Sequence, residues 1–189
     1  MKTIDLNKWL FNPFIYLAGI PAMMAGLAIM AVTSVVAFYG RIHFDGAIDL
    51  HVGAVTPYWL YLVEPLLDWL IVAIVFYLTG LVLSKSKIRF IDFLGTTALA
   101  RAAMLPGALI ALLPPIQNMS PENITPGMLA ASLFLLLPMI WLVALLYNAF
   151  VMSANLKGSK AVLGFIIALL VAEVLSKVAL HYLFLNFLK

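Results

Sequence analysis

The sequence contains no cysteine and few charged residues. The absence of cysteine excludes disulfides, thiolate catalysis and zinc or iron–sulfur sites with cysteine ligands. Charged residues make up 10% of the 189 positions, against about 25% in a typical soluble domain. A soluble fold of this size needs a charged surface to stay dispersed. A soluble enzyme, a nucleic-acid-binding module and a disordered chain are therefore excluded.

Apolar residues are abundant instead, at 65% of the chain, with a mean hydropathy of +1.12. A membrane-spanning helix needs about 20 mostly apolar residues. Five runs meet this length, at residues 13–39, 58–83, 90–113, 128–152 and 161–187. We therefore predict an all-α, polytopic membrane bundle with one transmembrane domain, residues 13–189, after a short cytoplasmic or interfacial segment, residues 1–12. Arg101 and Pro106-Gly107 interrupt the third run, which predicts a kinked or re-entrant helix there.

The basic residues between the spans predict the orientation of the bundle. Cytoplasmic loops carry an excess of lysine and arginine. The N-terminal side of the predicted bundle has seven basic residues: Lys2, Lys8, Lys85, Lys87, Arg89, Lys157 and Lys160. The opposite side has only Arg41 and Lys189. The prediction is an N-terminus in the cytoplasm and a C-terminus outside, so these basic residues indicate orientation and not binding of nucleic acid.

Ionisable residues inside the predicted spans form the first candidate site, because charges in a bilayer are costly and commonly functional. Glu64 and Asp68 share one face of the second span, and Glu173 and Lys177 share one face of the fifth. His181 continues that face toward the outside. The complete candidate binding set is Glu64, Asp68, Arg101, Glu173, Lys177 and His181.

Arg101 needs an acidic partner from another helix. A guanidinium remains charged at any accessible pH, and Glu173 is the acid predicted at the same depth. We expect Glu173 to be the main partner of Arg101, with Glu64 or Asp68 as a second. Three interpretations stay open: an ion network that fixes helix packing, a binding pocket or ion path, and an active site, for which the sequence offers no nucleophile–base arrangement.

A second candidate site lies in the first outer loop. Two imidazoles and two carboxylates, from His43, Asp45, Asp49 and His51, are suitable ligands for zinc, manganese or iron. Their spacing matches no established metal motif, and the alternative interpretation is a polar outer loop. No Walker loop, dinucleotide fingerprint or HExxH pattern is present, and we expect no cofactor.

Two hairpin regions resemble the Yip1 family of five-span membrane proteins. Residues 81–112, with Lys85-Ser-Lys, Phe93-Leu-Gly and Leu105-Pro-Gly, resemble the second-to-third helix region of Yip1 domains. Residues 141–175, with the turn Lys157-Gly-Ser-Lys, resemble the last hairpin of that family. The resemblance implies the same five-span fold and orientation, and the compact chain is similar to short bacterial members. We accordingly expect it in the bacterial inner membrane.

The resemblance implies a non-enzymatic role in membrane organisation or partner binding. Eukaryotic members are associated with prenylated Rab GTPases through traffic functions, but only about a dozen residues precede the first span here, which argues against small-GTPase binding. The expected partners are the lipid bilayer and either a second copy or another membrane protein, because small residues at 18–19 and 22–26 suit close helix contact. The alternatives are a transporter of a small solute, ion or lipid that uses the charged residues, and a metal-dependent enzyme built on the outer loop.

Reporter fusions test the predicted topology. Fusions at Lys87, Asn118, Gly158 and Lys189 are expected to report inside, outside, inside and outside, because one predicted span separates each pair of neighbouring sites. An inside signal at Lys189 together with an inside signal at Lys87 would contradict the five-span topology.

Overall fold

The computed structural model of the chain describes residues 5–53, 56–118 and 124–187, without the side chains of Asn186 and Phe187. The helices in chain order are α1 Leu6–Phe11, α2 Gly19–Gly40, α3 Tyr58–Leu83, α4 Phe90–Ala100, α5 Met104–Ala111, α6 Pro114–Gln117, α7 Pro126–Ala154 and α8 Gly158–Phe187. Short 3₁₀ turns cover Pro13–Ile15 and Arg101–Ala103. Two triplets that match the acceptor pattern for N-glycosylation, Asn118-Met-Ser and Asn123-Ile-Thr, each lie partly outside the described residues.

Five helical segments are long and apolar enough to cross a membrane. They cover Gly19–Gly40, Tyr58–Leu83, Phe90–Ala111, Pro126–Ala154 and Gly158–Leu185. Within the described residues, the predicted number of helices that are long and apolar enough to span a membrane is therefore confirmed. The first begins six residues later than predicted, since a 3₁₀ turn precedes Gly19.

A two-stranded hairpin makes the fold not strictly all-α. Arg41, in the left-handed region at φ 51°, ends α2 and turns the chain back. Strand β1, Ile42–His43, pairs antiparallel with β2, His51–Val52. We call residues 41–57 the first loop. The loop folds inward because apolar residues separate its polar ones, and Ile42, Phe44 and Ala47 are at most 1% exposed.

A 3₁₀ turn interrupts the α-helix of the third span at Arg101. Helix α4 ends at Ala100, one 3₁₀ turn follows, and α5 continues to Ala111. Proline has no N–H, so Pro106 cannot donate to the carbonyl one turn earlier, at Ala102. The sequence-predicted interruption therefore appears one turn before the proline, and residues Phe90–Ala111 together remain long enough to span a membrane.

Helices α2 and α4 approach each other through glycine. A Cβ atom added to Gly26 would lie 2.3 Å from the carbonyl carbon of Ala98, and one added to Gly95 would lie 2.1 Å from the carbonyl oxygen of Gly19. Gly19, Ala22 and Gly26 are buried within the chain. The small-residue face that suggested self-association is thus occupied by α4, and oligomer formation stays a prediction that rests on other surfaces.

The N-terminal helix α1 is attached to α7 by hydrogen bonds. Trp141 Nε1–H donates to the Leu10 carbonyl at 2.7 Å, and Asn148 Nδ2–H donates to the Phe11 carbonyl at 2.8 Å. The N-terminal segment therefore contains a short helix, Leu6–Phe11, that side chains of α7 hold in place.

Substitution of Gly26 by alanine tests the close approach of α2 and α4. We expect a destabilisation of about 1–3 kcal/mol, seen as a lower thermal midpoint in detergent, because the new methyl group would overlap backbone atoms that cannot move aside. Gly127→Ala is the matched control, since its nearest neighbour would be 3.9 Å away. Equal midpoints for the two variants would contradict the helix contact.

Candidate functional site

Polar residues converge where the first loop folds over α3, α8 and the junction of α4 with α5. We call this set the charged cluster: His43, Glu64, Asp68, Arg101, Glu173 and Lys177. Helix α3 supplies Glu64 and Asp68 one turn apart, and α8 supplies Glu173 and Lys177 one turn apart. The sequence predicted five of these six as one set. The sixth residue is His43, which the sequence analysis had assigned to the metal site.

Glu64 pairs with His43 inside the protein. The His43 Nδ1 atom lies 2.9 Å from Glu64 Oε1 and 3.1 Å from Oε2, and the two side chains are 2% and 0% exposed. The His43 ring stacks on Tyr61 at 4.4 Å between centroids and on His51 at 5.3 Å. This contact ties β1 to α3 and brings a titratable ring into the bundle.

Arg101 pairs with Asp68 and not mainly with Glu173. Its Nη2 atom lies 3.8 Å from Asp68 Oδ2, and the side chains are 1% and 0% exposed. Glu173 instead accepts a hydrogen bond from the Ile48 N–H at 3.0 Å and lies 3.6 Å from Lys177 Nζ. The predicted Arg101–Glu173 pair is therefore wrong, because the inward-folded first loop engages Glu173.

Several buried polar atoms around this ion pair lack hydrogen-bond partners among the described residues. They are both Asp68 carboxylate oxygens, both terminal Arg101 nitrogens, the Tyr61 hydroxyl and the Ser176 hydroxyl. Ser176 is close enough to Asp68 for an electrostatic interaction but makes no bond of regular geometry. An unpaired buried polar group costs about 1–3 kcal/mol. Ordered water or a small ligand would satisfy these atoms.

The outer end of the cluster is formed by ion pairs with the first loop. Lys177 Nζ lies 2.5 Å from Asp49 Oδ2. His51 Nδ1 lies 3.1 Å from Asp45 Oδ2, with side chains 51% and 27% exposed. The hydrogen bond that the His51 ring donates to the Asp45 carboxylate raises the pKa of His51. Burial opposes ionisation of Asp45, but the His51 bond and charge outweigh it and lower the pKa of that carboxyl.

The predicted metal site is not formed. His43 contacts Glu64, His51 contacts Asp45, and Asp49 contacts Lys177. Within the residues that the structure describes, no group of three histidine, cysteine, aspartate or glutamate side chains is arranged to hold a metal ion. The physical reason is that β1 directs His43 toward Glu64 on α3, whereas Asp49 is paired with Lys177 on α8.

His181 lies outside the charged cluster. Its side chain is exposed, packs edge-on against Tyr182 at 6.3 Å, and lines a surface pocket with Asp45, Lys177 and Phe184. The sequence analysis placed His181 on the same helix face as Glu173 and Lys177. In the structure it lies one turn beyond Lys177, outside the buried residues.

A second polar pocket, missed by the sequence analysis, lies at the opposite end of α4. Arg89 donates two hydrogen bonds to Asp92, at 2.9 and 2.8 Å, and Thr96 Oγ1 lies 2.9 Å from Ser153 Oγ. These four residues line the pocket with Phe14, Ala18 and Met152. The four-residue spacing of Asp92 and Thr96 could have indicated this pocket, because it places both side chains on one face of the helix.

Comparison of the chain with protein-family models, curated proteins and solved structures gives no match. The resemblance to Yip1 domains therefore stays a prediction.

Two double-mutant cycles test the pairing of Arg101. Arg101→Met and Asp68→Asn are each expected to cost about 3–5 kcal/mol by leaving a buried charge unpaired. The double variant is expected to cost clearly less than the two single variants added together, because they remove one shared interaction. Thermal and chemical unfolding in detergent give the values.

The comparison cycle uses Arg101→Met with Glu173→Leu, whose coupling is expected to be smaller because Glu173 bonds to Ile48 and Lys177. A larger coupling with Glu173 than with Asp68 would restore the pairing predicted from the sequence.

Proposed function

We propose that this chain is a non-enzymatic integral membrane protein that carries a small ion through the charged cluster. The observation that supports this most directly is the buried Arg101–Asp68 pair, at 3.8 Å, with polar atoms on both sides that make no hydrogen bonds within the described part of the protein. A pair that served packing alone would be expected to close to hydrogen-bond distance, because this gains energy in a low dielectric.

The distribution of polar residues along the bundle also supports ion movement. The charged cluster lies toward the first loop, and the Asp92 pocket lies toward the loop between α3 and α4. Buried Thr97 lies one turn before Arg101 on α4. Thr96, which lines the Asp92 pocket, lies five residues before Arg101, so about 7.5 Å of helix separates the two polar regions at about 1.5 Å per residue. Two polar regions with a short barrier between them suit a protein that exposes one site to alternate sides.

The orientation in the proposal follows the basic residues. With the N-terminus in the cytoplasm of a bacterium, the first loop and the charged cluster face the outside. The ion would then be taken up from the external side, and the Asp92 pocket would open toward the cytoplasm.

A Yip1-like role in membrane organisation is the second candidate. It is favoured by the ion pairs that attach the first loop to α3 and α8, because such pairs also serve to fix a packing arrangement. In this role the protein would act through contacts with the lipid bilayer and with a second copy or another membrane protein.

Ion flux in proteoliposomes tests the proposal. Purified protein is reconstituted with fluorescent indicators for protons, sodium and potassium inside the vesicles. Flux above that of protein-free vesicles is expected, and Asp68→Asn is expected to lower it at least tenfold by removing the central carboxylate charge. Asp5→Asn, which changes an exposed carboxylate, is the control and should retain the flux. Absence of flux for all three ions would favour the membrane-organising role.

A further inference from the structure

His43 is placed so that its two ring nitrogens face different environments. Nδ1 faces the buried carboxylate of Glu64 at 2.9 Å, while Nε2 lies 3.5 Å from the Thr56 hydroxyl in the first loop. Imidazole is the side chain that accepts a proton at one nitrogen and releases another from the second near neutral pH. The ring therefore connects the loop to the interior of α3.

The group next to His43 on the outer side is His51. Its ring lies 5.3 Å from that of His43, and its side chain is 51% exposed. Solvent, an exposed imidazole, a buried imidazole and a buried carboxylate thus follow one another from the surface inward. Asp68 comes one helical turn after Glu64 on the same face of α3.

From this arrangement we propose that the ion is a proton and that His43 is the relay through which it reaches the charged cluster. The inference rests on the proposed function and names the ion and its route. A proton from the side of His51 and Thr56 binds Nε2 of His43. The Nδ1 proton passes to Glu64, and Asp68 is the next acceptor. Only N–H and O–H bonds change, and one proton moves inward for each one taken up.

The packing around the relay favours a proton over a hydrated metal cation. A Cβ atom added to Gly53 would lie 3.0 Å from His43 Cδ2 and 3.0 Å from His51 Nε2. The space beside these two rings is already tight for one methyl group, and hydrated sodium or potassium, which is much larger, does not fit there. A proton needs no such space, because it moves between neighbouring groups.

The charges that face the relay agree with this interpretation. His43 faces Glu64 and Tyr61 from α3 and His51 from the first loop. Asp68 is influenced by Arg101 from the third span, Glu173 from α8 and Glu64 from its own helix. The fixed positive charge of Arg101 repels a metal cation, whereas a protonated carboxyl is neutral and avoids the repulsion.

Infrared spectroscopy of the reconstituted protein after a pH jump tests the relay. The acid carbonyl band of the buried carboxyls reports their protonation directly, and a proton indicator in sealed vesicles reports flux. His43→Gln is expected to slow growth of the acid band and the proton flux at least tenfold. His51→Gln, an exposed and less disruptive change, is expected to slow both several-fold. His181→Gln alters an exposed histidine outside the relay and is the control, with rates expected to be unchanged.

The outcomes separate the relay from the wider proposal. Unchanged rates in both His43→Gln and His51→Gln would overturn the relay. Sodium or potassium flux that is insensitive to these variants would overturn it while leaving ion transport in place. If the wild-type protein shows no flux of any ion, but its acid band grows more slowly in the two variants, the relay stands and transport fails. Should His43→Gln not fold, His51→Gln decides the test, since its side chain is half-exposed.

Discussion

The permanent charge of Arg101 in the middle of an apolar helix sets the arrangement of the bundle. A guanidinium at mid-membrane costs about 2.5–3.5 kcal/mol on insertion scales and cannot face lipid. The third span is accordingly the most enclosed of the five, with 67% of its apolar window buried against 33–39% in the other four. Helix α2 covers it at close range, which requires glycine at Gly26 and Gly95. Burial of one charge thus determines which helix is central and which neighbours must be small.

The first loop belongs to the interior as much as the helices do. The acidic side chains of α3 and α8 need partners, and the loop supplies the His43 ring, the Ile48 N–H and the Asp49 carboxylate. These contacts engage Glu64 and Glu173, so that among the described residues Asp68 is the acid at ion-pair distance from the Arg101 guanidinium. The first loop, which connects the first two spans, therefore determines which acid pairs with Arg101 in the third span.

Direct pairing within the charged cluster decreases from the surface to the centre. Lys177 at its outer end pairs directly with Asp49, while the Asp68 carboxylate oxygens and the terminal Arg101 nitrogens at its centre have no hydrogen-bond partner within the described residues. Direct pairing at the rim closes the bundle, and unsatisfied groups at the centre attract water, protons or small ions. The same gradient suits a path whose opening at the surface is closed by ion pairs.

Local features of the sequence determined the membrane class, the five helices and the faces on which charges lie. Hydropathy and helical periodicity act over neighbouring residues, so Tyr58–Leu83 was predicted with the bounds observed, and Glu173 with Lys177 as a pair. The tertiary structure alone decided which charges meet. The predicted depth in the membrane matched Arg101 with Glu173. The distance between two side chains across a bundle also depends on how the loops pack, and no short stretch of sequence indicates that. For the same reason His43 was assigned to a metal site: its pairing with Glu64 exists only because the apolar residues around it bury the first loop.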